Sequence, residues 1–373
     1  MKKWNFIIVL LAFPVILLAQ NVKQEDIPTD VLVDSAIVKM DKGEIEASRC
    51  LLESAISNSP NHFRANYELA YLYTMLKQYD LGIKVLKNIE GSKDVTDRYY
   101  QLLGTLYDYK GMTDLSIEKY KEGIVKFPNS GRLYVELGMM HHKSNNVMKA
   151  LNYYELGILA DPMFSSNYYY AGLVLLNSSE PVWGLMYGEI FMNLEPHTER
   201  SKTMSKYMFE TIKTNVCLTD TAFVASFTKE NQLQFDSSSM SLEMPFPLLY
   251  QTCFNSAGRK AIEEGLDTLE IYTVGKIHEY QIEHGKMYYN INCNDPLYIH
   301  LLQIQNAGFM EAYCMHLYHG GAISDYFGWL SMNKDYYMEF FKWLDENKLQ
   351  LYPNHCFSRL TCKPVNLSQL NYE

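Results

Sequence analysis

A chain of 373 residues, 47% hydrophobic and 20% charged, has the material for a buried core and for more than one domain. Its formal charge is −10 and no basic run occurs, which excludes an electrostatic nucleic-acid binder. Aromatic residues are plentiful, with 30 Tyr and 17 Phe.

Residues 1–19 read as a secretory signal peptide. Lys2 and Lys3 supply the basic region and residues 6–18 the apolar core, which is shorter than the ~20 residues of a comfortable membrane span. Cleavage is expected after Ala19 or Gln20, and loss of the two lysines takes the charge from −10 to −12. No cysteine follows the apolar core, so a lipoprotein anchor is not expected. The Leu17–Gln20 ending resembles leaders of Bacteroidetes-type bacteria. The expected location is the periplasm or outer envelope of a Gram-negative bacterium, with no membrane insertion once the leader is removed.

Residues 20–28 form a polar linker. One pattern then fills 29–198, repeated five times at a period of 34 residues. The units begin at Thr29, Phe63, Asp97, Gly131 and Ser165. Their eighth position is Ala36, Ala70, Gly104, Gly138 and Gly172, and their twentieth is Ser48, Gly82, Ser116, Ala150 and Gly184. All ten residues are small, as required where two helix axes cross ~8–10 Å apart. Leu69, Leu103 and Leu137 fill the seventh position, and Tyr73 and Tyr107 the eleventh. Pro60, Pro128, Pro162 and Pro196 recur in register and end each second helix, with Asp94 in the remaining slot. Lys39 holds the eleventh position of the first unit, where an apolar residue is usual, as in a solvent-facing cap.

The runs Tyr100–Tyr107 and Tyr134–Gly138, with the period, resemble the tetratricopeptide-repeat family over about 170 residues. The resemblance implies a helix-turn-helix solenoid whose first helices face a concave groove through their second, fifth, ninth and twelfth positions. Here those positions give Arg64, Tyr67 and Tyr71 in the second unit, and Arg98, Gln101 and Thr105 in the third. The fourth gives Arg132, Val135, Met139 and His142, and the fifth Tyr169. Three arginines at the second position stand out, because the helix dipole disfavours a cation there by ~0.3–1 kcal/mol. Arginine forks bind carboxylates bidentately and tyrosines offer contact area, which points to an acidic or C-terminal segment of another protein. The competing reading pairs the arginines with acids of neighbouring repeats, such as Glu68 or Glu136.

Residues 199–214 have helical spacing and suit a capping helix over the end of the solenoid. Residues 215–373 read as a helical C-terminal domain: a loop at 231–244, then helices at 245–264, 269–282, 296–318, 324–330 and 334–344, and an irregular end. The aromatic runs 308–313, 327–330 and 340–344 resemble the tails of uncharacterised repeat proteins from the same bacterial group. Six of the seven cysteines lie beyond the repeats, and Cys356 with Cys362 is the candidate disulfide in an exported chain.

No catalytic motif emerges. His278 and His284 are six residues apart where a zinc-protease helix needs four, ~240° rather than ~40° around the helix, so this stretch reads as a solvated helix face. Cys314, His316 and His319 have soft-ligand chemistry, but Cys314 and His319 point apart, so a packed aromatic helix is the preferred reading. His141, at the inward eleventh position, reads as core. No cofactor and no metal are expected. The sequence therefore describes an all-α exported adaptor or scaffold, a tetratricopeptide-like solenoid followed by a helical C-terminal domain. The alternatives are an enzyme or ligand-binding protein with its site in the C-terminal domain and the repeats as a recruiting arm, and a structural envelope component.

Overall fold

The computed structural model describes residues 27–219, 221–229, 232–238, 240–292, 295–353 and 356–366; the expected leader and most of the linker lie outside them. The chain divides into two compact units, Met1–Val95 and Thr96–Glu373.

The first unit holds α1 (Thr29–Asp41), α2 (Ile45–Asn58), α3 (Phe63–Met75) and α4 (Tyr79–Lys87). The second opens with α5 (Asp97–Tyr109), α6 (Thr113–Lys126), α7 (Gly131–Lys143), α8 (Val147–Ala160), α9 (Ser165–Leu176) and α10 (Pro181–Leu194). Successive first helices thus start 34 residues apart, and within each hairpin the two helices pack on one another. Helices α2, α6, α8 and α10 each stop two residues before an in-register proline. Where Asp94 replaces that proline, α4 ends early, after 9 residues against 14 in α2, and the unit boundary falls just beyond it.

The turn inside four hairpins uses one residue at positive φ, always the fifteenth position: Gly43 (76°), Lys77 (57°), Gly111 (74°) and Asn145 (59°). A left-handed residue lets the chain leave the first helix and satisfy its last carbonyls, and glycine or asparagine does so at least cost.

Helix α11 (Glu199–Asn215) packs on α9 and α10. The C-terminal domain then departs from an all-helical reading. A hairpin of β1 (Val216–Thr219) and β2 (Ala222–Ala225) precedes an antiparallel sheet of β3 (Gln234–Asp236), β4 (Ser241–Met244) and β5 (Val365–Asn366). The expected loop at 231–244 is therefore corrected: its polar–apolar alternation is only three or four residues long, and β4 completes its pairing with β5 from the far end of the chain. Next come α12 (Phe246–Glu263), α13 (Ile271–Asn292), α14 (Pro296–Asn306), α15 (Met310–Tyr318), a short 3-10 turn (His319–Gly321) and α16 (Ile323–Glu346). Helix α13 runs to Asn292, beyond its expected end at 282. The single helix expected over 296–318 is broken in two, because Gly308 adopts φ 78°. The two helices expected at 324–330 and 334–344 form one run with non-helical backbone at Asn333 (φ −122°).

The core of the second unit is built around α10, whose residues Pro181–Asn193 are all buried. A helix apolar on every side cannot face water. On one side it packs on α9 of its own hairpin; on another, α12 packs against it and the Phe246 and Phe357 rings lie tilted against Trp183 at 5.2 and 5.6 Å.

Candidate functional site

Within the second unit the first helices α5, α7 and α9 lie side by side, and α11 adds a fourth member, since it packs on α9 as α9 packs on α7. The sequence register extends the same way: one period after Ser165 falls Glu199, the first residue of α11, and Arg200 takes the second position. Adding two periods to Arg132 finds Arg200, a member of the ladder that a five-unit reading stops short of.

The arginines are not free forks. Arg64, within the first unit, pairs with Asp34 at 2.7 Å. Arg132 donates to Gln101 Oε1 at 3.4 Å and lies over the Phe164 ring at 5.8 Å. Gln101 in turn donates to Glu136 Oε1 at 2.7 Å. Burial raises the Glu136 carboxyl above its usual range, against the pull of Gln101 and Arg132. Arg200 forks onto Glu195, donates to Ser166 Oγ at 3.0 Å and covers the Tyr169 ring at 5.0 Å. The shared pattern is a side chain reaching back to a preceding first helix, or to the loop before its own, which answers the unfavourable dipole by local pairing. Partners include Asp34 and Gln101; Glu136 supports Arg132 through Gln101. Arg98, at the start of α5, is exposed.

The remaining predicted groove residues divide by depth. Met139 (41% exposed), Tyr71 (45%) and His142 are on the surface. Tyr67, Thr105 and Tyr169 are half-buried; Thr105 meets the Tyr120 hydroxyl at 3.2 Å, and Tyr67 stacks on Phe63. Val135 is a correction: it is 6% exposed, an apolar side chain on a helix flanked by α5 and α9, and it lines no open surface. His141 is half-buried and stacks on Tyr153 at 5.2 Å.

In the C-terminal domain the solvated reading of 278–284 fails at His278, which is 3% exposed. Its Nε2 sits 3.0 Å from Glu189 Oε1, which also accepts from the Tyr313 hydroxyl at 2.8 Å. Asn193 donates to that hydroxyl at 2.8 Å, and the Tyr318 hydroxyl lies 3.3 Å from His278 Nδ1. This network joins α10 to α13 and α15. A neighbouring cavity of about 30 Å³, bordered by Glu189, His278, Gln281 and Asp295, has room for a water-sized molecule. Cys314 lies elsewhere, donating to the Gly275 carbonyl at 3.4 Å. His316 is packed against Phe340 and Phe341, and His319 stacks on it. The histidines and Cys314 therefore do not converge on one pocket.

The Cys356–Cys362 bridge is also corrected. Cys356 is a free thiol, so the expected bridge is not formed in the structure, and burial pushes the thiol up to about 11. Its segment is instead fixed by Arg359. That guanidinium forks onto the fully buried Glu155 of α8 at 2.7 and 2.6 Å, and the Arg359 amide donates to the Tyr187 hydroxyl at 2.8 Å.

No family model and no curated protein matches the sequence. Among solved structures, a crystal structure of MamA is similar at TM-score 0.36 and 19% identity, over 45% of this chain and 92% of that one. Pseudomonas aeruginosa pilF is similar at TM-score 0.43 and 16% identity, over 52% and 86%. YrrB, described as a TPR protein with an unusual peptide-binding site, is similar at TM-score 0.34 and 15% identity, over 49% and 94%.

Proposed function

We propose that this chain is an interaction adaptor that holds a segment of another protein against the first-helix face of α5, α7, α9 and α11. One observation carries the reading. The C-terminal domain buries α10, locks Arg359 onto α8 and lays its 3-10 turn along one side of α11, whereas α5, α7 and α9 pack mainly on other repeat helices and on α11. The surface left open is the first-helix face of α5, α7 and α9, continued on α11 by the exposed Tyr207. An acidic or C-terminal segment is the occupant the arginines alone would select; because Arg64, Arg132 and Arg200 already have partners, we place the weight on a segment that does not depend on them.

The test is site-specific photo-crosslinking in the native envelope. A photo-reactive residue replaces Met139 on the first-helix face or Val125, 83% exposed on the second helix α6. A discrete adduct from position 139 and none from 125 supports the adaptor reading; the reverse pattern, or none from either, rejects it. We further propose that the protein is exported, on the strength of Lys2, Lys3 and the apolar run 6–18. Mass spectrometry of the cellular protein should find its N-terminus at Gln20 or Asn21, and an intact Met1 in the cytosol rejects export.

A further inference from the structure

The ninth position of the first helices forms a second row, distinct from the arginines. In the second unit it reads Thr105, Met139, Leu173 and Tyr207, again 34 residues apart, on α5, α7, α9 and α11. Met139 is 41% and Tyr207 39% exposed, and Leu173 and Thr105 are half-buried. The first unit, taken by itself, has Ile37 and the exposed Tyr71 at this position. Apolar side chains therefore stand at this position on α7, α9 and α11, exposed on α7 and α11, with Thr105 on α5, while several of the charges beside them are paired. Lys143 holds Asp108 at 2.9 Å, Arg132 and Glu136 share Gln101, and Arg200 is neutralised by Glu195. A surface of paired charges around an apolar row has little field with which to select an acidic tail.

Spacing selects the shape of the occupant. Neighbouring first helices pack ~8–10 Å apart, so the row offers an apolar contact at about that interval. A helix laid across them rises ~1.5 Å per residue, so every seventh residue returns to the same face after ~10.5 Å. An extended strand covers ~10 Å in three residues, and its third side chain points to the opposite face.

We propose that the row takes an amphipathic helix of a partner protein, running across α5, α7, α9 and α11, with apolar residues recurring every seventh position. This rests on the reading of the first-helix face as the binding surface. Fluorescence anisotropy of the whole mature chain tests it with three labelled peptides: a Leu-heptad amphipathic helix of about three heptads, its shuffled sequence, and an acidic extended peptide with a free C-terminus. The double variants Met139→Lys/Tyr207→Lys and Arg98→Ala/Arg132→Ala are run beside the wild type, with circular dichroism confirming the fold. The heptad helix should bind roughly tenfold tighter than its shuffle, lose at least about tenfold with the row variant, and change less than about threefold with the arginine variant. If the acidic peptide binds best and the arginine variant abolishes it, this inference falls while the first-helix face stands as the site. Binding by none of the peptides, or heptad binding indifferent to both variants, overturns the two together.

Discussion

At the eighth position of the repeat, a missing side chain on one helix matches a large one on its partner. A Cβ on Gly138 would meet the Tyr154 ring at 2.1 Å, and one on Gly104 the Tyr120 ring at 2.3 Å. In the first two units the same pair of positions holds Ala36 with Leu52 and Ala70 with Leu86, all buried. Volume is conserved across the pair, not at either residue. Gly138→Leu, and to a lesser degree Gly138→Ala, should therefore destabilise by roughly 1–3 kcal/mol. Gly138→Ala with Tyr154→Leu, copying the earlier units, should recover most of the loss from Gly138→Ala in a urea-denaturation double-mutant cycle; strict additivity would deny the pairing. A second substitution tests the hairpin turn. Lys77 occupies the left-handed slot that Gly43 and Gly111 fill at no steric cost, so Lys77→Gly should stabilise the first unit by about 0.5–1 kcal/mol, read as a higher midpoint. The small residues were legible from the period, because steric need recurs wherever helices cross. The arginines follow the competing reading for the same reason: recurrence marks a repeated contact, and for Arg64, Arg132 and Arg200 a partner lies within the protein.

Helices announce themselves through periodicity and proline; straps and short strands do not. The start of every first helix could be read from the register, and α11 could have been counted among them through Arg200. The sheet joining β4 to β5 could not, since two to four residues of alternation carry too little pattern and the partners are far apart in sequence. Nor could the role of the C-terminal segment, where Arg359 rather than a disulfide supplies the tie. Glu155 is fully buried and Arg359 partly exposed, so Arg359→Ala strands a carboxylate in the core and should cost about 3 kcal/mol. Replacing both residues by leucine should cost less than Arg359→Ala alone. Chemical denaturation of the three chains checks the order, and a double variant weaker than the single would refute it. The register did not show that α10, beyond closing the fifth hairpin, also packs on the C-terminal domain.

Over the second unit as a whole, buried neutral imidazoles set the response to acid. Burial, with His319 and His197 nearby, lowers His316 to about 3, and burial lowers His300 to about 4, both from a usual value of 6.5. The unfolded chain takes up protons at 6.5 while the folded chain does not, so their contribution is fully present above pH 6.5 and is lost as pH falls towards the folded values. His316 alone should remove about 2 kcal/mol between pH 7 and pH 5, given ~1.4 kcal/mol per pH unit. Glu136 opposes this. Its raised carboxyl favours the protonated folded form, so its contribution is present below its usual 4.5 and fades as pH rises through the folded value. Urea titrations at pH 7 and 5 should show a smaller difference for His316→Leu than for wild type; an equal difference would remove His316 from the account.

The lock between Glu155 and Arg359 also has a meaning in time. The two residues are 204 positions apart, so a ribosome working at ~5–20 residues per second completes α8 some 10–40 seconds before the arginine exists. Until then Glu155 has the Tyr187 hydroxyl of α10 at 3.1 Å but not its counter-charge. A chain ending before Arg359 should therefore be cut faster by a protease within α8 and α10 than the full chain, although every residue of the repeats is present.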